Sequence, residues 1–534
     1  MAEREYIVIL KKDVDYDAFW NQIENESPDD GFVPTRRVDI KNERPGSLRS
    51  CHYLLTDEEA AQLRADPRVY DVEIPPRDRD DIEIIRFAAQ SGTWRKTNNI
   101  SGADQNWGLL RGSVSADPWN TLTSISASYP YVLTGKGVDV VIQDSGICVD
   151  HSEWLDADGN SRLQQIDWYA ASGLPGVQGP NHYRDFNGHG SHCAGTVAGK
   201  TVGWAKDAHI YSVKVNGLEG SADSDPIASG DEFDVIKLWH RNKPIDPKTG
   251  FKRPTIVNMS WGYSGTRNGD TLPSGTYRGT PWTSATPGFT TSTQQWTSAG
   301  IIPSLGLNRR INSRVSSVDV DLEELLDEGV HVCIAAGNSY YYIAAEGDQD
   351  WDNSADFGFG QEFYHRGSSP YSTRAFMVGN MDITYQGGRE HKAESSCCGA
   401  GVDIYAPGTE IISVASKDYN GSNEIANSGV FEVPTFFGSN YNLMKISGTS
   451  MASPNVCGMI ATLLEAHPGA TPAQMKTFVH NNSTQGLLYE GATDAWADLD
   501  STQGGPNRIF KTPYAADQPL STNGPLSVSG VVIK

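Results

Sequence analysis

The 534-residue chain has seven cysteines (Cys51, Cys148, Cys193, Cys333, Cys397, Cys398 and Cys457) and no C-x-x-C pair among them. An odd count without that spacing argues against a disulfide framework and against a zinc site. Four of them sit in apolar or small-residue runs, where a thiol acts as a small hydrophobe, and the adjacent Cys397 and Cys398 read as free thiols in a loop. No stretch approaches the ~18–20 apolar residues of a membrane span, so no membrane partner is expected. The opening "MAEREYIVILKK" has five apolar residues between charges, too few for a signal-peptide core, and leaves the compartment undetermined. Basic residues are scarce beside acidic ones, 43 against 66 for a net charge of −23, which makes nucleic acid a poor partner. There is no internal repeat, and no His-Glu-x-x-His of a zinc protease.

Apolar residues make up 38% of the chain and glycines number 54, an ordinary globular share. The length implies more than one domain. Residues 5 to 74 read as a small α+β unit. "EYIVIL", "SCHYLL" and "RVYDVEI" are strand candidates, "VDYDAFWNQI" has helical spacing, and "TDEEAAQLRADP" is a helix opened by a capping threonine with acids in its first turn. "PPRDRDD" marks a boundary, and an exposed linker poor in apolar residues follows to about residue 105. Beyond it strands and helices alternate, predicting an α/β domain with a mostly parallel, doubly wound sheet covered on both faces. Its strands are "GVDVVIQ", "HIYSVKV", "TIVNMS", "GVHVCIAA", "RAFMVGN" and "GVDIYA". Two segments without a period, near 263–313 and 339–369, are too long for ordinary connections and read as decorations of a functional rim.

Three short motifs carry chemistry. "GVDVVIQ" runs into "DSGI", placing Asp144 at a carboxyl end of the sheet; alone, that is as well explained by a turn. "NGHGSHCAGTVAG" holds His189 and His192 three apart with Gly190-Ser191 between, the wrong spacing for a metalloprotease helix. A general base and a buried, hydrogen-bonded histidine in a small-residue helix both fit His189 in isolation. "SGTSMASPNVCGMIATLLEA" opens a helix near Ser450, with apolar positions at helical spacing and Pro454 near the first turn, where proline is tolerated.

The order Asp144, His189, Ser450, with "DSGI", "NGHGSHCAGTVAG", "NMSWG", "AAGN" and "SGTSMASP", resembles the subtilisin-like serine proteases (subtilases) over about residues 106 to 480, most closely the proteinase K branch. The resemblance implies a subtilisin-like fold and a serine endopeptidase acting on proteins or peptides. It implies an Asp144–His189–Ser450 triad, an oxyanion hole from Asn338 and the Ser450 backbone N–H, and His192 as a packing residue satisfied by the backbone. Ser260-Trp261-Gly262 matches the strand that pairs with substrate, and Ala335-Ala336-Gly337 the opposite wall of the specificity pocket. Trp261, bulkier than the family's leucine, and Ser191, in place of threonine, depart from the pattern. Asp403 aligns with a proteinase K calcium ligand whose companions are backbone carbonyls, which implies a structural calcium; the chemistry itself implies no cofactor.

Residues 1–75 similarly resemble the family's inhibitory propeptide, which makes the chain's own N-terminal domain an expected partner. Residues 76–105 then form a linker with a processing site between Pro75 and Asn106, expected to run along the substrate groove by strand addition beside "NMSWG". The expected larger domain spans 106–515, and a tail covers 516–534. The competing reading is a non-catalytic structural or virion-associated protein that retains a protease fold.

Overall fold

The computed structural model describes residues 3–24, 36–79, 83–86, 107–113, 131, 133–215, 218, 225–267, 271–302, 309–358, 360–418, 430–433, 441–492 and 495–512. Most of the expected processing region and all of the expected tail lie outside these residues.

The N-terminal unit runs β1 (Arg4–Leu10), α1 (Tyr16–Glu24), β2 (Asp39–Asn42), β3 (Ser50–Leu55), α2 (Asp57–Arg64) and β4 (Val69–Glu73), with an antiparallel sheet of order β2-β3-β1-β4. The run "YIVIL" is apolar at every position because β1 is covered on both faces. Tyr6, Val8 and Leu10 pack with Phe19, Ile23 and Leu63 in the unit's own core. Ile7 and Ile9 point the other way and meet Val320 of the larger domain. Full burial stabilises by about 1.5–3 kcal/mol per side chain of this size. Thr56 opens α2 with a complete capping box, closed by Glu59.

Next come β5 (Glu83–Arg86) and α3 (Trp107–Gly112), then β6 (Asp139–Asp144), α4 (Trp168–Ser172), α5 (His189–Ala198), β7 (His209–Lys214), α6 (Asp231–Asn242), β8 (Thr255–Met259) and β9 (Trp261–Arg267). The first of the two aperiodic segments contains β10 (Ser274–Tyr277), β11 (Thr280–Thr283), α7 (Ser292–Ala299) and β12 (Arg309–Asn312). α8 (Ser316–Asp327) and β13 (His331–Ala335) follow. The second contains β14 (Ser354–Asp356) and β15 (Gln361–Phe363). The chain closes with β16 (Phe376–Gln386), β17 (Arg389–Lys392), β18 (Ile404–Pro407), β19 (Ile411–Val414), β20 (Val430–Val433), β21 (Tyr441–Ile446), α9 (Thr449–Ala466), α10 (Pro472–Asn482), β22 (Thr484–Gln485) and β23 (Arg508–Ile509).

The six strands read from apolar runs are the parallel heart of a nine-stranded sheet, adjacent in the order β18-β16-β13-β8-β6-β7. Helix α9 crosses this sheet and is buried from Thr449 to Leu464, as expected of a helix apolar nearly all round. The aperiodic segments are ordered differently from their description as irregular. β10 and β14 pair antiparallel, so both segments join one small sheet, β11-β10-β14-β15. Arg278 reinforces the join with two bonds to Asp350, both 2.8 Å. Strands of three or four residues are too short to display an alternation.

Two contacts lock the N-terminal unit onto α6 and α8. Helix α8 has no side-chain cap of its own; Glu73 of β4 accepts the N–H of Ser317 at 2.8 Å and of Ser316 at 3.2 Å, filling that role from outside. Arg44, buried, donates to Asp234 at 3.1 and 3.2 Å and to Asp321 at 3.0 Å. Lys237 adds bonds to Asp234 and Glu324. Burial pushes Asp321 up to about 7, against the pull of Arg44. Burial acts on Asp234 in the same sense, but Arg44 and Lys237 outweigh it and hold that carboxyl below its usual range. Downstream, β5 lies antiparallel on one edge of β9, Ile85 opposite Gly262 and Arg86 opposite Trp261, while β12 covers the other edge.

Candidate active site

The strand order turns at β6, which has β7 on one side and β8 on the other. Open α/β sheets place their sites at the carboxyl ends of strands around such a turn. Asp144 ends β6 there, fully buried. Its carboxylate accepts the N–H of Ser145 at 2.7 Å and stands 2.8 and 3.0 Å from Nδ1 of His189. An ionised carboxylate only accepts, so in the neutral imidazole this contact puts the proton on Nδ1 and leaves the lone pair on Nε2. Nε2 is buried and has no hydrogen-bond partner among the described residues.

His189 is the first residue of α5, held there by its neighbours. Gly188 before it has φ 91°, a left-handed turn that a side chain would strain. Gly190 after it touches the backbone of the Asp144 turn, and a Cβ there would stand 2.1 Å from the carbonyl oxygen of Gly146. The small residues of the motif are therefore what brings α5 within reach of Asp144. Asp185 ties the two together. It accepts the N–H groups of Asn187, Gly188 and Ser191 and the hydroxyls of Ser191 and Ser145, at 2.6–3.1 Å, and Ser145 in turn accepts the N–H of Gly190 at 2.9 Å.

Ser450 is the second residue of α9. Its hydroxyl donates to the carbonyl of Ser260 at 3.1 Å. Its own carbonyl faces a deficit that the sequence creates: the helical donor four residues on is Pro454, which has no N–H. Ser260 Oγ at 3.0 Å and Cys193 Sγ at 3.5 Å supply donors instead. Asn258 and Ser453 extend the network, Asn258 donating to Ser260 Oγ and Ser453 donating to Asn258, both at 2.8 Å. Burial raises the Cys193 thiol well above its usual range, so it stays protonated and able to donate. Asn338 follows β13; its Oδ1 accepts the N–H and the hydroxyl of Thr449 at 2.9 and 3.0 Å, which fixes the amide plane beside the start of α9. Gly337 N donates to the same hydroxyl at 3.2 Å.

A family model for the subtilases (Peptidase_S8) matches residues 135–510. The chain belongs to the subtilase family. Subtilisin-like serine protease Cur l 4.0101 of Cochliobolus lunatus is 27% identical over 441 residues, covering 80% of this chain and 62% of its own. The extracellular serine proteinase of Thermus sp. (strain Rt41A) is 24% identical over 468 residues, 88% of this chain and 76% of its own. Cerevisin of Saccharomyces cerevisiae is 24% identical over 514 residues, 92% and 60%. The chain thus spans about six tenths of the length of two of these relatives.

In this subtilase the residues singled out from sequence converge. Asp144, His189, Ser450 and Asn338 lie around the carboxyl ends of β6, β8 and β13. Ser260, Trp261 and Gly262 lead into β9 along the edge that β5 occupies, and Ala335, Ala336 and Gly337 leave β13 toward Thr449. Trp261 is buried, edge-on to Phe233 and Tyr263. It lines, with Phe233, Pro75 and Arg77, a cavity of about 400 Å³ between the two domains. His192 donates Nε2–H to the carbonyl of Ile411 at 3.0 Å, and burial lowers it to about 3, a neutral packing residue. Asp185 was not among the sequence candidates, although an aspartate four residues before the histidine is the available cap for the helix. Cys397 and Cys398 are free thiols in the connection between β17 and β18, as read from the sequence, and both are buried.

The calcium reading of Asp403 does not fit its surroundings. Its carboxylate is met by Lys476 Nζ at 3.2 Å, His480 Nε2 at 3.1 Å and Arg508 Nη1 at 4.0 Å. Calcium needs six to eight oxygen ligands, and here the Lys476 ammonium, the Arg508 guanidinium and a ring nitrogen of His480 already converge on the carboxylate.

Proposed function

We propose that the chain is a serine endopeptidase acting on proteins or peptides, synthesised as a precursor inhibited by its own N-terminal unit. The observation that carries the catalytic reading is the buried imidazole of His189, with Nδ1 bound to Asp144 and an unpartnered Nε2 lone pair. A base so held is ready to take a proton from Ser450 once the hydroxyl turns away from the Ser260 carbonyl. Ser450 Oγ then attacks the scissile carbonyl, His189 takes its proton, and Asp144 stabilises the imidazolium. The oxyanion is met by the Ser450 N–H, at the positive end of α9, and by the Asn338 amide. Collapse expels the amine with the proton from His189, leaving an acyl-serine that water hydrolyses by the reverse transfers. Each step uses side chains, backbone and a water molecule, so this chemistry requires no cofactor. Substrate would add an antiparallel strand at Ser260–Gly262, opposite the wall Ala335–Gly337. The inhibited-precursor reading rests on β5, which takes up that same edge, and on Asp144, His189 and Ser450 having no solvent exposure in the intact chain.

A fluorophosphonate probe is expected to label the processed enzyme at Ser450 and to abolish hydrolysis of casein. Hydrolysis without an adduct on Ser450 would sink the assignment. Asn338→Ala removes one preorganised donor, and kcat is expected to fall by about 10²–10³, the range found for the like change in subtilisin, with KM little changed. Steady-state kinetics on a peptide substrate checks this; a loss confined to KM contradicts the role.

A further inference from the structure

We propose that Lys476 is a built-in cation that takes the place of calcium in this chain, and that removing its ammonium uncovers a calcium site. Helix α10 starts with a complete capping box, Thr471 with Gln474, and Pro472 at its first position. That fixes the register in which Lys476 and His480, one turn apart, share a face. From that face the Lys476 ammonium donates to the carbonyls of Thr373 and Ala375, both at 2.7 Å, and stands 3.2 Å from Asp403 Oδ1. An ammonium has three N–H donors, and it meets three oxygens here, so its donors are fully used.

The three oxygens are of the type hard cations select: two backbone carbonyls two residues apart, and a carboxylate. They come from two separate places, the segment before β16 and the residue that precedes β18, and the lysine reaches them from α10. His480 and Arg508 also close on Asp403. His480 approaches Asp403 from the lysine's own helix at 3.1 Å, and Arg508 donates to the Asp403 carbonyl at 2.7 Å. The stem of Lys476 passes Phe376, with Nζ 5.7 Å from the ring centre.

The consequence is thermodynamic. Stability supplied by a bound ion rises and falls with the free ion concentration, whereas a covalently attached ammonium is always present. This corner of the fold therefore holds in the presence of a chelator. The inference is independent of the catalytic reading.

Thermal unfolding tests it in the Ser450→Ala full chain, where self-digestion cannot interfere. The Tm of that parent is expected to be the same in EDTA and in millimolar calcium. Adding Lys476→Ala is expected to lower Tm in EDTA by about 2–5 °C, with calcium returning at least half of the loss. Magnesium, which demands a tighter octahedron, is expected to return little. A further Asp403→Asn exchange is expected to remove the calcium response. If the Lys476→Ala chain ignores calcium, or if the parent responds as strongly, the proposal is wrong. Should Lys476→Ala fail to fold, Lys476→Met, which keeps the stem over Phe376 and removes only the charge, is read by the same criteria.

Discussion

Ser450→Ala is expected to lower turnover by about six orders of magnitude, the loss found when the nucleophile of subtilisin is removed, while the chain keeps its fold and its full length. The fold survives because alanine is the best helix former and the helix start does not depend on the hydroxyl. The Ser450 carbonyl, left without a helical donor by Pro454, is held by Ser260 and Cys193. Among the described residues the one bond lost is that to the Ser260 carbonyl, worth about 1 kcal/mol. Full length follows from the inhibited-precursor reading: the cut between Pro75 and Asn106 is made by the chain's own serine. On a denaturing gel the variant should run at the intact 58.1 kDa, while the parent loses roughly its first hundred residues. Activity within tenfold of the parent would overturn the role of Ser450. Loss of the N-terminal unit from pure variant would overturn self-processing alone.

Arg44→Met, made in the Ser450→Ala chain, is expected to loosen the hold of the N-terminal unit by about 10²–10⁴ in its opening equilibrium. Three carboxylates, Asp234, Asp321 and Glu324, gather between α6 and α8, and two cations, Arg44 and Lys237, meet them. Methionine preserves most of the stem volume but strands buried carboxylate charge. Removing one partner of a buried pair costs about 3–5 kcal/mol, and each 1.4 kcal/mol is tenfold. The amides of Ser316 and Ser317 report the event directly, since both are donated to Glu73 across the same interface. Their hydrogen exchange should accelerate by that factor. Adding Asp321→Asn should recover part of the loss, because the two sites share one network. Unchanged exchange, or a penalty that Asp321→Asn leaves intact, would remove Arg44 from this role.

How much of this was legible depended on the length scale of the signal. Runs such as "GVDVVIQ" and "HIYSVKV" identify doubly covered strands by themselves, and all six lie together in the parallel sheet. Thr56 with its following acids announced a capped helix. The proposed catalytic constellation was legible only as a set, since each motif alone had an ordinary explanation. What could not be read were partnerships between distant short elements. "DIKN" is too polar to show β2 as an edge strand. The Thr- and Gly-rich "SGTY" gives no sign that it pairs with "SAD" about eighty residues later. Asp403 looked like a metal ligand because its neighbours in sequence resemble one, yet its environment is set by Lys476 and His480, placed there by a helix more than seventy residues away.

The pairing of β10 with β14 has a consequence for how this scaffold can change. Two excursions that look like independent loops share a backbone ladder, so each supplies the other's missing edge. Trimming one alone would expose a strand with unpaired N–H and C=O groups, an invitation to association with other chains. Transplanting one alone would carry over half a sheet. The two segments therefore form one heritable module written in two places, and are best gained, lost or grafted together.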